Sequence, residues 1–593
     1  MPRSLSETSA FCHRFLTPGP ILFWAVTAAT ALLVLMLGFF LHRGAMGLYM
    51  DDYSIRAWAF DFVKSKWNLT LIPFYSFWTW RPLTYLLVPN LANAIPQHAF
   101  WVRVGIVIIH FLNVWLLGRL GQRLSGSLLV GIICGGYFIF PVFANEGLLW
   151  FTAAIQDTFS LLFLLVGFHL FLSCRSFTDL PLLLCGVLSW LLMIMFYESG
   201  LFTILLLPVL FGVTQNDVRR TSHKLWVSAL AASSVPISIY LWFGVRRSPF
   251  VIARGGATLD LRFILSHKVP DVARGFWWLL TGWGLFGPLH EAFIFGWREW
   301  RSAPGGPALM AASLVGICLV TLLFPTDRDE DSPFSRLLKL ILIGLGWMVL
   351  GLVPIVLVRS QVVDIRTLYV PSAGFALSAA AFSGLVVNLF GKRNTSPIRA
   401  VLLFMGVVVF LSGLTMAGLV RAYQLRWYLD ERQVAAMRPV LSQFSRAEPL
   451  WLLPVALDER SVSNYWGRET VLDHYLFGVF EHSWSASDAI RLKFGDREIH
   501  PVTSQHWDRL HVTAVRSSGG SHITEIVFQG EAIPIEHLVA FTYRQGELIL
   551  LDPIEINDPD RNFLAVIDLP LIPQLAGTGL KIEKVQFQLE HQD

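Results

Sequence analysis

The chain has 593 residues, of which 54% are hydrophobic and only 15% charged. A soluble globular protein is nearer a quarter charged, and the mean hydropathy of +0.55 points the same way. These totals exclude an ordinary soluble enzyme, a disordered chain and a disulfide scaffold.

The net charge of +4 hides a split. Residues 421–593 carry 16 Lys+Arg and 24 Asp+Glu, a net of −8; residues 1–420 carry 30 and 18, a net of +12. The later stretch therefore approaches soluble composition and the earlier one does not. The expectation is a polytopic α-helical membrane protein over residues 1–435, followed by a water-facing domain over residues 436–593.

A bilayer core takes about 20 apolar residues as a helix. The first such run, 21–41, lacks a small-residue cleavage site and reads as an anchor. Further runs lie near 99–118, 127–143, 157–173, 180–196, 200–213, 225–243, 307–324, 338–358, 367–390 and 400–420. That makes about eleven spans. Phe276–Gly296 is ambiguous: it is crowded with tryptophan and holds Gly287-Pro288, His290 and Glu291. An interfacial or re-entrant placement suits such a segment.

Short loops rich in Lys and Arg should face the cytoplasm. The N-terminus (Arg3, Arg14), Arg119–Arg123, Arg219–Lys224 and Lys392–Arg399 all fall on one side if Phe276–Gly296 does not span. The acidic stretch Asp327–Asp331 shares that side, but acidic residues weigh little in the rule. The expected topology places the N-terminus inside and the C-terminal domain outside the plasma membrane. From about residue 440, alternation such as His522–Phe528 and Leu548–Leu551 predicts a mainly β domain. Ser518-Gly519-Gly520 and Asp552-Pro553 are its turn signals.

The cysteines, Cys12, Cys134, Cys174, Cys185 and Cys318, show no metal-ligand spacing. No basic, aromatic-interleaved patch suggests nucleic acid. His500, His506 and His511 have no metal-type partners and read as surface or core residues.

Ionisable groups near membrane depth are costly and mark functional positions. Four acidic features fall at outside ends of spans: Asp51-Asp52-Tyr53, Asn145-Glu146 with Asp157, Tyr197-Glu198-Ser199, and Asp364 to Ser372 with Arg366 and Tyr369. Adjacent carboxylates such as Asp51 and Asp52 can keep a base poised near neutrality. They could equally cap a helix over Ile55–Trp67. Glu146 and Asp157 could be caps or salt-bridge partners, and Glu198 the partner of some arginine. Arg81, Arg366 and Tyr369 could be interfacial anchors. Together, acids and arginines on one membrane face suit transfer from a lipid phosphate. A base would deprotonate an acceptor hydroxyl and arginine would stabilise the departing phosphate.

The order of these segments resembles the GT-C superfamily of integral-membrane glycosyltransferases. It is most similar to the core shared by protein O-mannosyltransferases and the tetratricopeptide-repeat transmembrane mannosyltransferases. Tyr49-Met50-Asp51-Asp52-Tyr53 resembles the family's acidic pair, and Trp80-Arg81-Pro82-Leu83-Thr84 its [YW]RPL[TS] motif. His110 to Asn113 resembles H-x-x-N, and Pro141 to Asp157 resembles HPxxxExxxxxxxRxD. Tyr197-Glu198-Ser199-Gly200 resembles a KExG turn, and Arg366 to Phe375 resembles R-x-LYxPSxGF. Phe140, Ile155 and Tyr197 stand where the family has His, Arg and Lys.

The resemblance covers residues 20–430 and implies an inverting transferase with a polyprenyl-phosphate sugar as donor. Membrane lipids and a glycan or protein acceptor are the other expected partners, though the resemblance does not carry over the acceptor, because the C-terminal part differs. Asp51, or else Asp52, would be the general base. Arg81 and Arg366, with Tyr369 beside them, would hold the donor. Glu146, Asp157 and Glu198 would shape the sugar pocket or pair with the arginines. No metal and no separate cofactor is expected. Two rivals remain: a transporter or flippase for lipid-linked glycans, and a non-catalytic glycan-binding scaffold.

Overall fold

The computed structural model describes residues 18–40, 48, 52–53, 56–57, 81–174, 179–214, 223–241, 260–273, 277, 287–325, 333–358, 365–390, 396–444, 449–455, 457, 460–476, 478–481, 483–495, 498–502, 512–518, 522–528, 531–558 and 563–588. The chain divides into two compact units. One comprises Met1–Met46 with Asn68–Arg421, the other Gly47–Trp67 with Ala422–Asp593.

The helices of the first unit are α1 (Pro18–Phe39), α2 (Pro82–Ser125), α3 (Leu128–Phe138), α4 (Phe151–Ser173), α5 (Leu180–Phe196), α6 (Leu207–Thr214), α7 (His223–Ile239), α8 (Pro288–Ser302), α9 (Gly306–Leu323), α10 (Phe334–Val356), α11 (Tyr369–Phe390) and α12 (Ser396–Ala436). The unit boundary falls inside α12. Among the described residues, seven helices are long and apolar enough to cross a membrane: α1, the part of α2 from His98, α4, α9, α10, α11 and α12 with its continuation to Gln443. The chain is therefore an integral membrane protein. Each of the eleven apolar runs contains helix, but α3, α5 and Glu198–Val213 are shorter than a full span.

Local chemistry explains these lengths. The α2 helix starts at Pro82, whose missing N–H costs nothing at a first helical position. His98 leaves helical geometry (φ −131°, ψ 24°) and separates the span from the turns before it. The α3 helix ends at Phe138, three residues before Pro141, because the residue ahead of a proline is pushed out of the helical region. Glu198–Leu206 is a nine-residue 3₁₀ helix. It rises about 2.0 Å per residue instead of about 1.5 Å, so few residues cover more depth.

Two basic residues cap helix ends, Arg123 from a loop predicted to face the cytoplasm and Arg336 from the start of α10. Arg123 Nη1 donates to Ser173 Oγ (3.1 Å), and its Nη2 donates to Leu172 O at the end of α4. Arg336 Nη2 donates to Val213 O (2.9 Å) in the last turn of α6. Cations suit these positions because a helix leaves its last carbonyls unpaired.

Helix α8 contains the latter part of Phe276–Gly296. It has only 15 residues, about 22 Å at 1.5 Å each, short of a bilayer core. Its buried residues, Leu289, Ala292, Phe295, Gly296, Glu299 and Trp300, recur at helical spacing on one face. Residues 278–286 lie outside the described residues. Trp300 Nε1 donates to Leu37 O (2.8 Å), tying α8 to α1. A Cβ on Gly296 would lie 1.9 Å from Leu414 O, and one on Gly418 1.9 Å from Ala292 O. Here α8 and α12 touch backbone to backbone, as small residues permit between apolar helices.

The second unit contains strands, as the alternation predicts, together with short helices. Its strands are β1 (Leu450–Pro454), β2 (Ile499–Pro501), β3 (Val512–Ser518), β4 (His522–Phe528), β5 (Glu531–Pro534), β6 (Leu538–Arg544), β7 (Glu547–Asp558), β8 (Phe563–Ile567) and β9 (Lys581–Gln588). The larger sheet runs β2-β1-β6-β7-β8, with β9 also on β7; β3-β4-β5 form a separate antiparallel sheet. Strands β1 and β2 are parallel, and parallel neighbours need a long crossover. That crossover carries the helices Ser461–Trp466 and Ser483–Phe494, which strand alternation alone does not announce. Asp552-Pro553 lies inside β7, where the pairing with β9 shifts register. It makes an irregularity in a strand instead of the turn its sequence suggests.

Gly418→Ala is expected to destabilise the first unit by about 1–3 kcal/mol, the usual cost of overpacking. Thermal unfolding of the detergent-solubilised chain checks this; an unchanged midpoint would show that α8 and α12 do not meet there.

Candidate functional site

Six of the predicted site residues belong to the first unit: Arg81, Glu146, Asp157, Glu198, Arg366 and Tyr369. Asp52 belongs to the second unit and is fully buried. Asp51 and Asp364 lie outside the described residues, as do His506 and His511. His500 stacks on Trp451, with ring centroids 4.8 Å apart, and contacts Glu498 at the surface.

Arg81 precedes the first turn of α2. Its Nε donates to Glu198 Oε2 (2.9 Å) and its Nη2 to Glu198 Oε1 (2.6 Å). This is the two-pronged match of guanidinium to carboxylate. Both side chains are nearly buried, at 10% and 13% exposure. The Tyr197 ring lies under the guanidinium at 4.4 Å. Burial works against the Arg81 charge, but Glu198, and Tyr197 after it, hold its pKa above the ordinary guanidinium value. Tyr197 thus contributes a ring face beneath the guanidinium. Its own phenol is pushed up, first by burial and then by the Glu198 charge.

Two more bonds fix this corner. Thr84 Oγ1 donates to Phe196 O (2.8 Å), joining the start of α2 to the end of α5. Ser160 Oγ donates to Tyr197 O (2.9 Å), joining α4 to the same turn.

Asp157 projects from the first two turns of α4 and is 1% exposed. The charges acting on it are those of Arg366, Arg81 and Glu198. Its Oδ1 is buried with no hydrogen-bond partner in the protein. Arg366 opens the one-turn helix Ile365–Leu368 and is half-buried over the Trp150 ring at 4.7 Å. Trp150 in turn separates the short helix Glu146–Leu149 from α4. Four stretches far apart in sequence thus bring Arg81, Asp157, Glu198 and Arg366 into one electrostatic neighbourhood. Glu146 is buried at the start of its helix.

Tyr369 does not behave as an interfacial anchor, because it is fully buried. His110 Nε2 lies 3.0 Å from the Ile139 carbonyl, which can only accept, so Nε2 carries the proton. Nδ1 of the neutral ring then accepts from the Tyr369 hydroxyl at 2.7 Å. Asn113 Nδ2 donates to Thr158 O (2.8 Å) and to the Tyr369 oxygen (3.4 Å). A Cβ on Gly147 would lie 2.8 Å from Tyr369 Cβ. Tyr369 is therefore the post against which the 146–150 segment rests. His110 and Asn113, visible in sequence only as a motif, hold that post. Trp150, between Leu149 and Phe151, carried no signal in the sequence, and Tyr197 was marked only as part of the Tyr197-Glu198-Ser199 turn.

An apolar crevice of about 200 Å³ lies elsewhere in the same unit, lined by α1, α2, α3, α9 and α12. Among the described residues, no three or more His, Cys, Asp or Glu side chains are grouped to hold a metal ion.

No protein-family profile matches the chain, and no curated protein matches it. Among solved structures the chain is similar to ArnT from Cupriavidus metallidurans bound to undecaprenyl phosphate. The match has 13% identity, covers 80% of this chain and 89% of that one, and has a TM-score of 0.29. ArnT from the same organism in the apo state matches at 12% identity, over 75% and 85% of the two chains, with a TM-score of 0.26.

Arg81→Ala is expected to cost about 3–5 kcal/mol of stability, because it leaves the Glu198 carboxylate uncompensated among apolar groups. Arg81→Ala with Glu198→Gln should recover most of that loss. Thermal midpoints of the four chains in one detergent check this; additive losses would show that the two residues are not coupled.

Proposed function

We propose that the chain is a GT-C-type membrane glycosyltransferase. It transfers a sugar from a polyprenyl-phosphate donor to an acceptor hydroxyl of a glycan or protein, on the outer face of the cell membrane. The observation that carries this reading is the convergence of Arg81, Glu198, Asp157 and Arg366, with a buried carboxylate oxygen of Asp157 left for a ligand to engage.

The chemistry follows from the residue types. Arg366, braced on Trp150 and half-buried, presents a planar cation suited to a phosphate. The Arg81–Glu198 pair supplies a second, fixed cation beside it. Asp157 accepts hydrogen bonds, as a sugar hydroxyl would offer. In the reaction an acceptor oxygen attacks the anomeric carbon and the bond from that carbon to the phosphate oxygen breaks, with inversion. The lipid monophosphate leaves with the electron pair, and its charge is met by the arginines, so no metal is called for. The acceptor proton passes to a carboxylate, assigned to Asp51 or Asp52 on the sequence motif alone.

Purified protein in lipid vesicles, given polyprenyl-phosphate mannose and then other polyprenyl-phosphate hexoses, tests the reading. Arg366→Gln and Asp157→Asn should each lower transfer by about 10²-fold or more, the scale for removing one preorganised electrostatic group. Transfer at the wild-type rate by both variants overturns the site. Donor flux across the vesicle with no transfer overturns the reaction.

A further inference from the structure

None of Arg81, Asp157, Glu198 and Arg366 lines the apolar crevice of the first unit. On α1 the crevice runs from Trp24 to Val34, and on α2 from Phe111 to Gln122. At 1.5 Å per residue these stretches are about 15 Å and about 17 Å long, half the thickness of a bilayer core. Two tightly packed helix pairs form the sides. Between α2 and α3, a Cβ on Gly131 would lie 2.8 Å from Gly118 O; between α1 and α9, a Cβ on Gly316 would collide with Thr30. Helix α12 completes the lining.

The walls suit hydrocarbon. Thr27 Oγ1 donates to Phe23 O (2.8 Å) and Thr321 Oγ1 to Ile317 O (2.9 Å), so these hydroxyls are engaged within their own helices. A cavity with apolar walls does not hold water. Its volume of about 200 Å³ is more than ten times the roughly 10–15 Å³ that one water-sized group needs. The polar groups stand at one end. There Arg119 is exposed and its Nη1 donates to Gln122 Oε1 (2.7 Å). Among the described residues no carboxylate pairs with it. Trp24, 40% exposed, lies at the same end. At the other end the rings of Phe39 and His110 meet at 6.4 Å, so α1 runs back along α2 toward Arg119. Tryptophan and arginine are residues that anchor at a membrane interface.

We propose that this crevice binds one anionic glycerophospholipid of the cytoplasmic leaflet. One acyl chain lies between the α1/α9 and α2/α3 pairs, and the phosphate meets Arg119. The length of the crevice fits a chain that reaches the middle of the bilayer. The charge fits too: a guanidinium that no carboxylate neutralises complements a phosphate, and the cytoplasmic leaflet is the one rich in anionic lipid. The polyprenyl-phosphate donor is a poorer occupant. Its phosphate is assigned to Arg81 and Arg366, and Arg81 precedes the first turn of α2 whereas Arg119 lies in the last two. The bound lipid fills the gap between two helix pairs and undergoes no reaction, so this site stands independently of the proposed transfer.

The experiment titrates the full-length chain in detergent with dioleoyl phosphatidylglycerol, dioleoyl phosphatidylethanolamine or polyprenyl phosphate, and counts bound lipid by native mass spectrometry. Wild type should hold one phosphatidylglycerol per chain about tenfold more tightly than phosphatidylethanolamine, the scale of one contact to a charged group. Arg119→Gln should remove that preference, and Arg119→Lys should keep most of it. Ala31→Phe, which puts a ring into the crevice, should abolish retention of both lipids. Lys339→Gln, which removes an exposed cation near the start of α10 and outside the crevice, should change nothing. Equal binding of the two phospholipids, or equal losses in Arg119→Gln and Lys339→Gln, reduces the effect to general surface charge and overturns the site. Unchanged retention by a folded Ala31→Phe chain overturns the crevice as its place; should that chain not fold, the Arg119 variants, altered at an exposed side chain, decide the matter. Displacement of phosphatidylglycerol by equimolar polyprenyl phosphate assigns the crevice to the carrier lipid and overturns the proposal.

Discussion

A charge removed from water must find its opposite, and this constraint organises both units. In the first, Arg81 is sheltered among apolar helices and is held by both oxygens of Glu198, 117 residues away. In the second, Arg426 is sheltered still more completely and held by Asp430. Neither pair is a large source of net stability. Each instead removes alternatives: the start of α2 can only sit where Glu198 meets it, and the end of α12 only where Gly478 leaves room for the Arg426 guanidinium. Geometry of this kind precedes any chemistry, because groups that stabilise a transition state must be in place before the reaction begins.

Neutral polar contacts extend the same logic into the helix interior. The Ile139 carbonyl sets the proton on His110, His110 sets the direction of the Tyr369 hydroxyl, and Asn113 supports its oxygen while reaching Thr158. Every link needs the previous one, since an unmet polar group at membrane depth is costly. Gly147 rests on the ring so supported, and Trp150 follows it, carrying Arg366 on its face. Rigidity thus passes from a core histidine to a half-buried cation through a chain of adjoining residues. Backbone contacts at Gly296 and Gly418 give the same unit its tight α8–α12 crossing.

Much of this was legible in the residue string. Among the described residues, apolar runs located each of the seven helices long and apolar enough to cross, because a bilayer demands about 20 apolar residues whatever the neighbours are. Glu198 as the partner of an arginine was one of two open readings, and the structure names Arg81. Other features were not legible. Tyr369 carries the same side chain whether it anchors at an interface or fills a core, and only the positions of His110 and Asn113 distinguish the two. The helices of the C-terminal unit were hidden, because parallel pairing of β1 with β2 is a long-range property that strand alternation does not report. Asp552-Pro553 read as a turn, since its residue types favour one, yet strand neighbours on both sides of β7 hold it in the sheet.

By itself, then, the sequence determined the class of molecule: an apolar helical part, a charged water-facing part, and acids and arginines at span ends. Hydropathy and charge act on each segment wherever it lies, so their pattern can be read along the chain. Only the tertiary structure decided which acid meets which arginine, and that residues 47–67 join the C-terminal unit. Those choices depend on how helices cross and on a few glycines that permit close approach. Such crossings are set by contacts between residues hundreds of positions apart, and no local pattern encodes them.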